Sequence, residues 1–235
     1  MVLATIPKSK NVSVENIRLS PLDEAFVDIA EYSNGKILTE MKYLDMGRRG
    51  AIGKAYVRLS VAKRLMHATE LLPSGYCLKI YDTWRPFSVQ KDIYDEYYSY
   101  LLHKEENVGL SEAELHALTR KFVSYPSTEK EISYVHSSGG AVDLTIAHKD
   151  GKELNMGCDF DEFTTRAATD AYENTDGEIR DNRRLLYTVM TEAGFTNYNE
   201  EWWHYDYGDA FWAARTGNDA MYRSVFTEEE VKNDR

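Results

Sequence analysis

Apolar positions recur along this chain in two periods, one helical and one of strand type. In AYVRLSVAKRLMHATELL, residues 55–72, Val57, Val61, Leu65, Met66 and Leu72 fall near helical spacing, and Pro73, Ser74 and Gly75 close the element. The next segment, YCLKIYD (76–82), alternates Tyr76, Leu78 and Ile80 against Cys77 and Lys79, which predicts a strand. It runs into Trp84-Arg85-Pro86. A proline disfavours helical backbone at the residue before it, so Arg85 is expected at a turn, with a helix following over about 87–102.

Residues 12–32 mix apolar and polar positions and are expected to begin the sheet or wrap onto it, before a turn at Asn34-Gly35. Residues 105–131 read as an excursion, in which Ser111 and Glu114 form a capping-box pattern and Pro126-Ser127 break the chain. AVDLTI (141–146) predicts a buried strand, and AHKDGK a hairpin turn around Asp150-Gly151. A third helix is expected over 181–193, with Leu185, Leu186, Val189 and Met190 inward and Gly194 as its stop. FTNYNEEWWHYDY predicts a last, aromatic-rich strand region. Helices and hairpins around a central antiparallel sheet make the expected class α+β.

With 235 residues, 43% of them hydrophobic, and no linker or repeat, one domain over 1–235 is expected. The net charge of -11 argues against an extended nucleic-acid or anionic-membrane surface, but not against a small anionic substrate held by one buried arginine. No apolar run is long enough to span a bilayer. MVLATIPKSKNVSVEN lacks a long apolar core after a basic start, so no signal peptide is expected and the compartment is read as cytoplasmic, or periplasmic if a leader has been trimmed. Cys77 and Cys158 are too few for a disulfide framework or a zinc ribbon and are read as inert thiols in a reducing compartment.

The chemistry lies in three short stretches. His136 and Asp143 occur in HSSGGAVD, Glu201 and His204 in EWWH, and Arg85 in YDTWRP. Two imidazoles and a carboxylate suit one zinc, with a position left open for water. An unligated glutamate three residues before a ligand histidine is placed to take that water's proton. Each stretch alone is weak, since a lone histidine is more often structural. Asp143 is the harder to dismiss, because an unpaired carboxylate inside an apolar strand is costly and a metal is one partner that offsets the cost. In a regular strand Glu201 and His204 would face opposite ways, so their cooperation requires a bulge, a turn or a helical segment. Arg85 reads either as a grip on a substrate carboxylate or as an ordinary salt bridge. His67, His103, His116 and His148 are read as surface residues.

YDTWRPFSVQ, HSSGGAVDLTI, MGCDFDEF, NRRLL and EWWHYDY together resemble the zinc-dependent D-alanyl-D-alanine dipeptidases of the VanX type, in that family's order and roughly its spacing, over about residues 28–209. The wider superfamily includes D,D- and L,D-carboxypeptidases and non-catalytic Hedgehog-type domains. The resemblance implies one zinc per chain, on the sheet, held by His136, Asp143 and His204. It implies Glu201 as general base and Arg85 as the group that stabilises the developing oxyanion and positions the scissile carbonyl. Asp161 would recognise the substrate's free amino group, and Tyr32 would line the pocket. The family usually carries serine two positions before its first ligand histidine. Tyr134 stands there in this chain, which puts strict D-Ala-D-Ala preference in doubt and leaves the metal site untouched.

The expected partner is a small dipeptide, with the oligomeric state open, and 105–131 is expected to cap the pocket. The biological use would be turnover of wall-derived dipeptides, or removal of the peptidoglycan precursor that vancomycin binds. Two alternatives stand beside this reading. One is a D,D- or L,D-carboxypeptidase on longer wall peptides. The other is a zinc-stabilised binding domain without turnover, against which Glu201 and Arg85 both argue, since a structural zinc site prefers a closed shell. Ligands of this type also accept cobalt, nickel or copper.

Overall fold

A computed structural model describes residues 2–8, 10, 12–129, 132–162 and 164–234. Residues 12–25 form no regular element; their described backbone lies along the C-terminal segment, with Ser20 N–H donating to Ala220 O and Ala220 N–H to Arg18 O. Regular structure begins with strand β1 (Phe26–Asp28) and the single turn α1 (Ile29–Tyr32), started by the Asp28 side chain accepting from Ala30 N–H. Strand β2 (Leu38–Thr39) and a second turn, α2 (Lys42–Asp45), follow.

The predicted helix over 55–72 divides. Tyr56–Arg58 is strand β3, paired antiparallel with β1, and helix α3 covers Leu59–Leu71. Helical spacing could not reveal the split, because β1 captures these residues from far away in sequence and the Arg58 guanidinium is drawn inside to Ser138 O, Glu24 O and the Asp234 carboxylate. Strand β4 (Tyr76–Asp82) and helix α4 (Phe87–Leu102) match their predicted bounds. In the excursion, helix α5 (Glu112–Thr119) starts with the expected Ser111–Glu114 capping box.

Strand β5 (Ala141–His148) runs two residues past its predicted end, and α6 (Glu178–Glu192) begins three residues before its own. Strands β6 (Thr196–Asn197) and β7 (His204–Asp206) form a hairpin whose connection carries Glu201, and the short helices α7 (Ala210–Thr216) and α8 (Glu228–Asn233) close the chain. The main sheet has the order β2-β4-β5-β7-β6; its β2–β4 edge is parallel and its remaining pairs are antiparallel.

Strand β5 is the axis of the molecule. Val142, Leu144 and Ile146 belong to the main core with Val61 and Leu65 of α3 and Leu186, Val189 and Met190 of α6. Period-two alternation turns Asp143 and Thr145 to the other face, which is also buried. The register of β4 on β5 shifts by one residue between Ile80 and Asp82. Ile80 still faces Leu144, but Asp82 then faces Asp143, which in turn faces His204 across the next strand pair. Three adjacent strands thus present a row of two carboxylates and an imidazole. Bulges at such places re-aim a side chain.

Among the described residues no helix is long and apolar enough to cross a membrane. Cys77 is buried and Cys158 half-buried, both as free thiols that burial pushes up in pKa. His67, His103 and His148 are exposed as expected. His116 is not: it stacks on Tyr98, and its Nδ1 meets the Tyr94 hydroxyl at 2.8 Å.

Candidate metal centre and active site

His136 opens a short 3-10 turn, His136–Ser138, that leads through Gly139 and Gly140 into β5. Both glycines are required by space. A Cβ on Gly139, which has φ 75°, would lie 2.2 Å from the Phe26 ring, and one on Gly140 would lie 2.5 Å from Tyr207 O. The tight turn delivers the His136 ring beside Asp143. Its Nδ1 donates to Thr83 O at 2.7 Å, which leaves Nε2 facing Asp143 Oδ2 at 3.4 Å. From the other side His204 Nδ1 meets Asp143 Oδ1 at 2.9 Å, while its Nε2 meets Asp206 Oδ1 at 2.7 Å.

One donor atom from each of His136, Asp143 and His204 lies within 4.8 Å of the other two, and all three residues are buried. The outer nitrogen of each imidazole is committed to an oxygen acceptor and the inner one faces the carboxylate. Metal-binding histidines are typically held this way, with the second N–H fixed by a carbonyl or carboxylate. Two nitrogens and one oxygen, with no fourth donor grouped with them among the described residues, fit zinc with an open position.

Glu201 lies in the β6–β7 turn, where its N–H donates to Tyr198 O and its carbonyl accepts from His204 N–H. That turn supplies the change of direction the sequence spacing demanded: the Glu201 carboxylate stands 3.9 Å from His204 Nδ1. Arg85, in the turn after β4, donates from Nε to Asp82 Oδ2 at 2.8 Å and from Nη1 to Gln90 Oε1 at 2.8 Å, with Nη2 3.4 Å from Asp143 Oδ2. Its guanidinium also lies over the Tyr43 ring, 4.6 Å from the centroid. Asp161 has left-handed backbone, φ 58°, and its Oδ2 accepts from the Tyr43 hydroxyl at 2.9 Å.

This crowd of acids in a buried space sets the protonation pattern. Burial, reinforced by Asp143 and Asp161 and opposed by His204, pushes Glu201 up to about 8. Burial and the facing Asp143 raise Asp82 to about 7 against the pull of Arg85. Burial and Asp143 raise Asp161 to about 6, again against Arg85. Burial and the Arg85 charge lower His136 to about 3, so that it is a neutral imidazole. Asp143 is held below the usual carboxylate range because His136 and His204 outweigh the effect of burial. His204 is held well above the usual histidine range because Asp206 and Asp143 outweigh burial.

The structure therefore brings together Arg85, His136, Asp143, Asp161, Glu201 and His204. It does not bring Tyr32 to them. Tyr32 lies on α1, where Ile29 is the buried residue and Tyr32 is left 41% exposed. The tyrosine in contact with Asp161 and Arg85 is Tyr43, buried on α2. Tyr134 is half-buried two residues before His136, with its N–H on Ser224 Oγ.

Sequence reasoning gave no role to Asp82, Gln90, Arg183 or Asp206, although all four lie inside the motifs it quoted. It had no signal at all for Tyr43. Arg183, from NRRLL, is almost fully buried. It donates to Met156 O, Ala168 O and Arg166 O, and so clamps both ends of the loop that carries Asp161.

Residues 32–223 match the model of the peptidase M15 family, described as D-ala-D-ala dipeptidase. A D-alanyl-D-alanine dipeptidase of Enterococcus faecalis is 33% identical over 162 residues, 66% of this chain and 72% of the relative. One from Synechocystis sp. is 27% identical over 176 residues, 67% of this chain and 71% of the relative. Among solved structures, VanYB in complex with D-alanine-D-alanine aligns with a TM-score of 0.41 at 17% identity, covering 79% of this chain and 87% of that one, a likeness too slight to weigh.

Proposed function

The chain belongs to the D-ala-D-ala dipeptidase family, and on that premise we propose that it is a zinc metallopeptidase that hydrolyses D-Ala-D-Ala or a related D-amino-acid dipeptide at the His136–Asp143–His204 cluster. The observation that carries this reading is the convergence of those three donors, with Glu201 and Arg85 on either side of them. The three donors would hold the metal, which when bound supplies Lewis acidity toward the scissile carbonyl and acidifies water.

Glu201 is the group for proton transfer. It takes the proton of the attacking water and passes it to the leaving amine. A pKa pushed up to about 8 by burial, close to neutrality, suits a carboxyl that must both accept and release a proton. Arg85 is braced by Asp82 and Gln90, so its remaining N–H groups are pre-aimed at the negative charge that develops on the carbonyl oxygen.

Asp161, fixed by the Tyr43 hydroxyl, offers a carboxylate to the substrate's ammonium group. That pairing selects a substrate with a free amino end and so favours dipeptides over blocked, longer chains. The excursion over 105–131 is the proposed cap. In its support, Gln90 both accepts from Arg85 and donates to Ser124 O at 2.8 Å, tying the end of the excursion to the catalytic arginine. The unpaired Cys77 and Cys158 support a reducing, cytoplasmic setting.

The test is release of free D-alanine from D-Ala-D-Ala by zinc-loaded protein, with and without a chelator. Release that the chelator abolishes is expected. Zinc bound at one equivalent with no release from this or any other D-amino-acid dipeptide would overturn the reading.

A further inference from the structure

Asp206 stands outside the roles assigned so far. It is two residues beyond His204 at the end of β7, and it is fully buried. Its Oδ1 lies 2.7 Å from His204 Nε2, the shorter of the ring's two hydrogen bonds. The carboxylate is itself held in place, because Asp206 pairs through the backbone with Ala141 of β5 on one side and Thr196 of β6 on the other.

The surroundings are built to keep a carboxylate there. Arg215 Nη1 is 3.8 Å from Asp206 Oδ2. Among the described residues the Oδ2 atoms of Asp206 and Asp209 have no N–H or O–H partner of their own, yet the two carboxyls lie within hydrogen-bonding reach of each other. One proton between them satisfies both oxygens. Burial and the neighbouring Asp206 push Asp209 well above the usual carboxylate range. Asp209 is anchored in turn by accepting from Trp212 N–H at 2.9 Å, and it packs against Gly140, where a Cβ would approach it to 3.3 Å.

We propose that Asp206 is a positioning residue for the metal centre: by accepting the Nε2–H of His204 it fixes the ring orientation and the tautomer in which Nδ1 is bare and turned toward Asp143 and His136. A neutral imidazole ligates through one nitrogen only if the other carries the proton. In a buried site that N–H needs an acceptor, and a rotation of the ring by half a turn would remove Nδ1 from the cluster. Asp206 supplies the acceptor and sets the rotation. Asp209 and Arg215 hold Asp206. This inference rests on the metal-site reading above.

Zinc affinity, measured by competition with a chromophoric chelator, tests it in the wild type, Asp206→Ala, Asp206→Asn and Asp209→Asn. Urea denaturation of each metal-free form reports folding. Loss of a partner to a metal-binding histidine weakens affinity by about 10–100-fold, and that is the loss expected for Asp206→Ala. Asp206→Asn retains an oxygen acceptor without the charge and should lie between Asp206→Ala and the wild type; it carries the test if Asp206→Ala does not fold. Asp209→Asn should stay close to the wild type, because its amide N–H replaces the shared proton. In the zinc-loaded wild type the His204 side-chain nitrogen spectrum should show a hydrogen-bonded Nε2–H that is altered in Asp206→Ala.

Folded Asp206→Ala that binds zinc as tightly as the wild type overturns the positioning role and leaves the metal site standing. An Asp209→Asn loss as large as that of Asp206→Ala overturns the division of roles between the two carboxyls. A wild type that binds no zinc removes the metal reading and this inference together.

Discussion

Replacing Arg183 by methionine should separate the two halves of the site. The buried guanidinium donates at 2.7 Å to Met156 O, at 2.5 Å to Ala168 O and at 2.7 Å to Arg166 O. Hydrogen bonds with one charged partner contribute on the order of 1.5–3 kcal/mol each, so three amount to roughly 5–9 kcal/mol. Part of this is offset by the cost of burying the cation, which burial disfavours strongly enough to lower its pKa. Methionine recovers some of the apolar packing of the arginine stem. A net loss of about 3 kcal/mol remains, a factor of about 150 in the folding equilibrium. Urea denaturation of the metal-free protein measures it.

The same change frees the ends of the loop that holds Asp161 while leaving β5 and β7 alone. Zinc stoichiometry should therefore persist, and KM for a dipeptide with a free amine should rise more than kcat falls. A loss below about 1 kcal/mol would refute the clamp. Loss of zinc with KM unchanged would refute the assignment of Arg183 to the substrate side.

Glu201→Gln should keep one zinc per chain and lose about 10²–10⁴ in kcat, the usual contribution of a general base, as read by D-alanine release; unchanged kcat would remove Glu201 from proton transfer. Tyr43→Phe removes the hydroxyl on Asp161 and should raise KM about fivefold, corresponding to about 1 kcal/mol, whereas Tyr32→Phe should change nothing; the reverse pattern would restore Tyr32 to the pocket. Asp161 has its folded pKa raised to about 6 in the metal-free protein, so the folded state keeps a proton the unfolded chain releases earlier. Its contribution to stability is therefore full at pH below the ordinary aspartate range and declines as pH rises to about 6; Asp82 and Glu201 decline over an overlapping range, so urea midpoints should fall with pH in both proteins but less steeply in Asp161→Asn than in the wild type.

Much of this site was legible because its residues cluster in short stretches around elements with strong periodicity. The strand over 76–82 and the helix over 87–102 stand where apolar spacing and Pro86 put them, so Arg85 fell into its turn by reading alone. The requirement that Glu201 and His204 be separated by a change of direction was likewise readable, and the turn before β7 supplies it. Contacts made across long sequence distances were not readable. β3 is a strand only because β1 pairs with it. Tyr43 reaches Asp161 across 118 positions, from a segment with no pattern to set it apart from Tyr32. Asp206 looked like one more polar edge in an aromatic run, because nothing local reveals that its carboxylate lies under an imidazole.

The one-residue shift in β4 has a consequence for how such an enzyme could lose its chemistry. Pairing in unbroken phase from Ile80 onward would set Tyr81, not Asp82, abreast of Asp143. The acid beside the metal donors is thus specified by a count of residues along the strand as much as by the presence of an aspartate. A slip of the strand into unbroken phase, with no residue lost, leaves Tyr76, Leu78 and Ile80 paired as before while Asp82 moves away from Asp143 and Arg85 loses its brace. A descendant of this chain could therefore keep the architecture and every quoted motif letter, yet fall silent through a change of phase alone.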